Sequence, residues 1–203
     1  MIIHNDKNAV IYIHGMGGNA DEAEHYRPLF PDCDVTGFDY KSQNPWDTKE
    51  EFEAHFDSLQ DRYESVVLIA NSIGAYFAMN AGLTAFRKAF FISPVVDMEK
   101  IILDMMARAN VTEDELKSKS IIHTASGETL LWDYLAYVRE NPVKTDASTE
   151  ILYGSNDSLT DYETMRAFAD RTGANLTVME GGEHWFHTPE QMRFLDNWIK
   201  ERI

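Results

Sequence analysis

Cysteine is nearly absent. Cys33 stands alone among 203 residues, which excludes an intrachain disulfide and any cysteine-rich zinc site. Basic residues are also scarce: 18 lysines and arginines face 34 aspartates and glutamates, a net charge of −16. Such a field repels nucleic-acid phosphates and anionic lipid surfaces. No apolar run approaches the ~20 residues of a membrane-spanning helix, so neither nucleic acid nor membrane is an expected partner. The opening residues, Met1 to Lys7, lack the basic-then-apolar design of a signal peptide, and a reducing cytoplasm is the expected location. Repeats, low-complexity tracts and long linkers are missing too. What is present is a globular composition, 44% hydrophobic and 26% charged, in a length that fits one domain carrying a modest insertion.

Short apolar, β-branched runs suit buried parallel strands at Val10 to Ile13, Val35 to Phe38, Val66 to Ala70, Ala89 to Ile92, Ile151 to Tyr153 and Leu176 to Met179. Helical periods separate most of them. Phe52, Phe56, Leu59 and Tyr63 share a face behind a capping box at Thr48 and Glu51, Ala75 to Ala81 reads as a helix, and Tyr162, Met165, Phe168 and Ala169 stripe another. The last helix is expected to start at Thr188 with Pro189 at N1 and Gln191 at N3, burying Met192, Leu195, Trp198 and Ile199. This alternation predicts an α/β domain, a mostly parallel central sheet with helices on both faces.

One stretch breaks the rhythm. Far more chain lies between the strands near Ser93 and Glu150 than a single crossover helix needs. Met98, Ile101, Ile102, Met105 and Met106 form one stripe, Thr112 and Glu115 a capping box, and Leu130, Leu131, Tyr134, Leu135 and Val138 a further helical stripe, with a short strand at Ile121 to Thr124. Residues 95–143 are read as a small helical cap inserted over the strand ends; the alternative is that these helices complete the outer layer.

In open α/β sheets ligands sit beyond the carboxyl ends of the strands, and there the informative residues collect. After Val66 to Ala70 comes Asn71-Ser72-Ile73-Gly74 and then a helix: strand, sharp turn with a central serine, helix. After Ile151 to Tyr153 comes Gly154-Ser155-Asn156-Asp157, and after Leu176 to Met179 a glycine-softened loop carries Glu183-His184-Trp185-Phe186-His187. The first strand runs into His14-Gly15-Met16-Gly17-Gly18. In these motifs the sequence resembles the α/β-hydrolase family, small serine esterases in particular, with Ala70 standing where the G-x-S-x-G pattern has its first glycine. The resemblance implies the α/β-hydrolase fold, a catalytic Ser72, Asp157 and His184, an oxyanion hole from the N–H groups of Met16 and Ile73, and no metal or cofactor.

Each residue has a competing explanation. Serine routinely caps helices, so Ser72 could be an N-cap. Asp157 could be a turn aspartate, with Asp161 or Asp97 as the acid, and His187 rivals His184 as the base. A His184–His187 metal pair lacks the H-E-x-x-H order of zinc proteases. Gly15 to Ala20 also satisfies G-x-G-x-x-A with Asp39 about twenty residues on, the pattern of an NAD-binding oxidoreductase, although the segment from Asn19 to Tyr26 carries no apolar helical stripe. A silent binding protein on the same fold is a third reading, and it predicts a misplaced triad member. The expected reaction is hydrolysis of a small carboxylic ester or thioester. Met98, Met105 and Met106, with Trp132, Tyr134 and Trp185, are candidates to line a pliable apolar pocket for a small-molecule acyl substrate. The short chain leaves little room for a deep tunnel, and the oligomeric state is left open.

Overall fold

A computed structural model describes residues 8–60, 62–83, 86–146 and 148–203; residues 1–7, on which the signal-peptide reading fell, lie outside it. Among the described residues there are eight strands: β1 Asn8–Ile13, β2 Asp34–Phe38, β3 Ser65–Asn71, β4 Lys88–Ile92, β5 Ile121–His123, β6 Thr129–Leu131, β7 Thr149–Gly154 and β8 Asn175–Met179. The helices are α1 Pro45–Gln60, α2 Ile73–Asn80, α3 Met98–Ala109, α4 Glu113–Lys119, α5 Trp132–Glu140, α6 Tyr162–Thr172 and α7 Pro189–Lys200. Six strands form one wholly parallel sheet in the order β2-β1-β3-β4-β7-β8, and β5 and β6 form a separate antiparallel hairpin. All six strands expected from apolar runs are the strands of this sheet.

Alternation along β1 divides the core. Ala9, Ile11 and Ile13 face α1, α2, α6 and the segment between β4 and β7, whereas Val10 and Tyr12 face α7 and the short 3₁₀ turns after β1. The topology locates the ligand crevice: β1 pairs with β2 on one side and β3 on the other, so the chain reverses its direction of travel across the sheet at β1/β3. Crevices open at such switch points, beyond the strand ends. Ile13 and Ala70 are register partners, so the glycine turn after β1 and the serine turn after β3 emerge side by side.

Local departures have local causes. The α1 start lies earlier than the Thr48–Glu51 box predicts: Pro45 opens the helix, the Asn44 side chain accepts from the Asp47 N–H at 2.9 Å, and the Thr48 hydroxyl donates back to the Asn44 carbonyl at 2.5 Å. Glu51 instead accepts from the Lys41 and Ser42 N–H groups. Leu130 and Leu131 are not helical; they pair with Ile122 and Ile121 in the hairpin, whose turn carries Gly127 at φ +98°, and α5 begins only at Trp132. Thr112 does cap α4, and Thr188 and Gln191 complete a reciprocal capping box on α7. Leu116, Leu130, Leu135 and Val138 share one core with α1 and α2, so the segment between β4 and β7 packs as part of the domain. Arg139 of α5 ties it together, bonding Glu99 on α3 and, with both terminal nitrogens, Glu113 on α4. Among the described residues no helix is long and apolar enough to cross a membrane.

Candidate active site

Ser72 sits between β3 and α2 at φ +51°, ψ −119°, a conformation that costs a non-glycine residue roughly 1–3 kcal/mol. Its backbone is held there from several directions. The Ser72 N–H donates to the Ile92 carbonyl at 3.0 Å, and the Ser72 carbonyl accepts from Ala75 and Val95 at 3.2 Å each. Close approach then sets the neighbours. A Cβ on Gly74 would lie 2.4 Å from the His14 carbonyl oxygen, so only glycine lets α2 start against the end of β1. The Ser72 side chain makes no N-capping hydrogen bond. Its hydroxyl points elsewhere.

Ser72 Oγ lies 2.8 Å from His184 Nε2, and His184 Nδ1 lies 2.7 Å from Asp157 Oδ2. The Asp157 side chain is completely buried, and its other oxygen accepts from the Leu159 and Thr160 N–H groups at 2.8 and 3.1 Å. Both carboxylate oxygens are therefore held, one by two backbone donors and one by the imidazole. With the imidazole proton on Nδ1 donated to Asp157, Nε2 is left as the acceptor for the serine hydroxyl. A silent scaffold predicts a misplaced member of this trio; all three are in hydrogen-bond contact.

The loops carrying Asp157 and His184 are knitted to each other. The Asn156 N–H donates to the Gly182 carbonyl at 2.8 Å, Ser155 N–H to Met179 at 3.0 Å, and Gly181 N–H to the Ser155 hydroxyl at 2.8 Å. A Cβ on Gly154 would lie 2.4 Å from the Gly182 carbonyl carbon and oxygen. Backbone cannot yield as a flexible side chain does, so Gly154→Ala is expected to push the two loops apart. The overpacking is expected to cost about 1–3 kcal/mol of stability. Urea unfolding measures the loss; a variant as stable as wild type would show that the crossing is not tight.

The rivals are occupied otherwise. Asp97 caps α3, accepting from the Lys100 N–H at 2.9 Å; Asp161 caps α6 and pairs with the Lys100 ammonium, which holds its carboxyl far below the usual carboxylate range. His187 stacks on Trp185 at 4.3 Å, with Nδ1 2.7 Å from the Trp185 carbonyl oxygen. His14 stacks on Tyr40 at 4.4 Å. Among the described residues no group of three His, Cys, Asp or Glu side chains is placed to hold a metal ion. The dinucleotide reading lacks its helix: Asn19 caps only a six-residue 3₁₀ stretch, Ala20–His25. The carboxylate of Glu22 stands 2.7 Å from where a Gly18 Cβ would be, so a negative charge covers the turn that a pyrophosphate would have to approach. Asp39 is paired with Lys41 at 2.6 Å.

Ser72 and His184 open onto a cavity of about 1110 Å³ whose lining includes Met16 and Ile73, both expected oxyanion donors. Ile73 is the first residue of α2, and its N–H has no intrahelical acceptor. Met98, Met105, Tyr134 and Trp185 line the cavity as expected. Trp132 does not: its ring lies under the Lys117 ammonium at 5.3 Å, and Met106 is in the core. Residues two apart on a helix face different ways, so Trp132 and Tyr134 do not serve one wall. The sequence reading missed Glu22 and Glu128, both in the lining. For Glu22 a signal existed, since Asn19 and Glu22 form a capping box, and Glu22 also accepts from the buried Tyr12 hydroxyl at 2.5 Å. For Glu128 none did, because its role depends on where the hairpin lands.

Comparison with known proteins agrees with this architecture. The chain is similar in structure to a hydrolase candidate from Agrobacterium vitis S4, at TM-score 0.76 and 17% identity over 98% of this chain and 89% of the other. Est1E from Butyrivibrio proteoclasticus follows at TM-score 0.70 and 18% identity, covering 97% and 87% of the two chains. The Pyrococcus furiosus esterase Pf2001 aligns at TM-score 0.61 and 18% identity over 97% and 81%. No curated protein matches the sequence. The profile of the uncharacterised protein family UPF0227 matches residues 9–194. With an all-parallel sheet, a serine at the β3–α2 turn and that match over nearly its whole length, the chain belongs to UPF0227 and has the α/β-hydrolase fold.

Proposed function

We propose that this protein is a serine hydrolase that cleaves a carboxylic ester or thioester through an acyl-enzyme intermediate. Ser72 is the nucleophile, His184 the general base and acid, and Asp157 the orienting carboxylate. The observation that carries this reading is the unbroken line from hydroxyl to imidazole to buried carboxylate, at 2.8 and 2.7 Å. In the first half-reaction Ser72 Oγ attacks the acyl carbonyl while His184 Nε2 takes its proton, and Asp157 stabilises the imidazolium. The N–H groups of Met16 and Ile73 donate to the oxyanion, each contributing about 3 kcal/mol at the transition state. Collapse of the tetrahedral intermediate breaks the bond to the alcohol or thiol, which leaves with the proton from His184. Water then attacks the acyl group with His184 again as base, releasing the acid and restoring Ser72.

Residues 95–143 serve as the cap in this scheme, since Val95, Met98, Ile101, Ile102 and Met105 contribute the apolar side of the cavity. At about 1110 Å³ the space is at the upper end of small-molecule pockets and roomier than so short a chain suggests. An acyl group well beyond acetyl fits it. The direct test is a fluorophosphonate probe followed by intact mass and peptide mapping. One adduct is expected, on Ser72, and none on Ser72→Ala. Equal labelling of that variant would remove Ser72 as the nucleophile.

A further inference from the structure

Two apolar surfaces line the cavity beside Ser72, and they differ in burial. One is an inner wall: Val95 and, on α3, Met98, Ile101 and Ile102 are all buried. The other is a rim. Met16, Leu159 and Trp185 line the same cavity, yet they are 83%, 41% and 67% exposed. Single exposed apolar side chains are ordinary, but three around one cavity mark a contact surface. All three stand on the loops that carry the chemistry. The Met16 N–H is the proposed oxyanion donor, the Leu159 N–H donates to Asp157 at 2.8 Å, and Trp185 follows His184. The backbone that sets the reacting groups therefore sets the rim as well.

Trp185 is the rigid member. Its ring stacks on that of His187 at 4.3 Å, with 17° between the planes. His187 is itself anchored: Nδ1 lies 2.7 Å from the Trp185 carbonyl oxygen and 3.6 Å from the Glu183 carboxylate, and its N–H donates to Gln191 at 3.1 Å. One indole face is covered by His187 while two thirds of the residue is exposed, so the opposite face is open. A ring already held in place loses little freedom when a second ring lies on it.

Which part of a substrate meets this face follows from the order of departure. The acyl group stays on Ser72 through the second half-reaction, whereas the alcohol or thiol takes its proton from His184 and must leave first. The departing group belongs at the open rim, beside the His184 loop, and the retained group belongs against the buried wall of α3. We infer that Trp185 is a specificity-determining residue for the leaving group. The preferred substrate is an ester or thioester whose alcohol or thiol carries a flat aromatic ring, and that ring stacks on the open indole face. This inference rests on the serine hydrolase reading and adds the leaving-group side to it. A saturated ring of the same size fills the same space without the ring–ring attraction, which is worth about 2- to 12-fold in binding.

The test uses two matched pairs of esters. Benzyl and cyclohexylmethyl butyrate carry the ring in the alcohol, and butyl phenylacetate and butyl cyclohexylacetate carry it in the acid. For wild type, Trp185→Leu and Trp185→Phe, acid release in a pH-stat gives the kcat/KM ratio of aromatic to saturated ester within each pair. Any general loss in a variant cancels in that ratio, and kcat/KM covers the steps up to departure of the alcohol. The alcohol-side ratio is expected to fall about fivefold in Trp185→Leu and to stay within about twofold of wild type in Trp185→Phe. The acid-side ratio is expected to be unchanged in both. An alcohol-side ratio unmoved by Trp185→Leu, an equal fall in Trp185→Phe, or an acid-side ratio that falls as far would each overturn the inference while leaving the hydrolase reading intact. So would benzyl butyrate left uncleaved by a protein that turns over 4-nitrophenyl butyrate. If no ester is cleaved and Ser72 takes no fluorophosphonate, the hydrolase reading fails and this one goes with it.

Discussion

Ser72→Ala and His184→Ala are each expected to lower kcat for a simple 4-nitrophenyl ester by about 10⁶-fold, and the double variant to fall little further. The reason is geometric. Ser72 Oγ is 2.8 Å from His184 Nε2, so the hydroxyl is a nucleophile only while the imidazole can accept its proton, and either deletion disables the same step. Two residues with separate tasks would instead show losses that multiply. Residual catalysis near 10³-fold over water would remain, supplied by the Met16 and Ile73 donors and by binding alone. A companion variant separates chemistry from structure. Ser72 is held at φ +51°, so Ser72→Gly is expected to stabilise the fold by about 1 kcal/mol in urea unfolding while abolishing turnover. A Ser72→Ala protein retaining a tenth of wild-type activity would sink the assignment.

That Ser72 and His184 meet was legible before any coordinates, and the physical reason is the parallel sheet. A central strand buried on both faces must be an apolar run, so Val66 to Ala70 marks its own end; the edge strand Leu176 to Met179, with Val178 exposed, is still apolar enough to mark its own, and the residues just beyond the two share one edge of the sheet. The hairpin was less legible. Leu130 and Leu131 form an apolar pair that suits a helix as well as a strand, and the pairing with Ile121 and Ile122 that decides the matter lies nearly ten residues back. Lining residues were harder still. Trp132 and Tyr134 look equivalent as aromatics, yet which one faces the cavity depends on the first turn of α5, and that turn starts only where β6 ends. Glu128 had no signal at all, since it becomes part of the site only through the placement of a separate two-stranded unit.

The acid was the assignment that residue type alone could not make, because Asp97, Asp157 and Asp161 all follow strands. Asp157→Asn is expected to lower kcat about 10⁴-fold with KM little changed, and the hydrogen bonds around this carboxylate say why. One oxygen accepts from two backbone N–H groups, Leu159 and Thr160, while the other faces His184 Nδ1 at 2.7 Å. An asparagine must keep its carbonyl toward the two backbone donors, because turning the amide nitrogen there would set donor against donor. The amide nitrogen then faces His184 Nδ1, which becomes the acceptor, and the ring proton moves to Nε2. Nε2 is the atom that must take the serine proton, so the ring arrives in the wrong tautomer with its position unchanged. Asp97→Asn keeps a side-chain oxygen to cap α3, and Asp161→Asn loses mainly an exposed pair with Lys100. Both are expected to leave kcat within about twofold of wild type. Steady-state kinetics on the three asparagine variants decide the matter: a large loss in Asp97→Asn or Asp161→Asn with Asp157→Asn unaffected would transfer the role, and the buried carboxylate at the end of the line would be structural only.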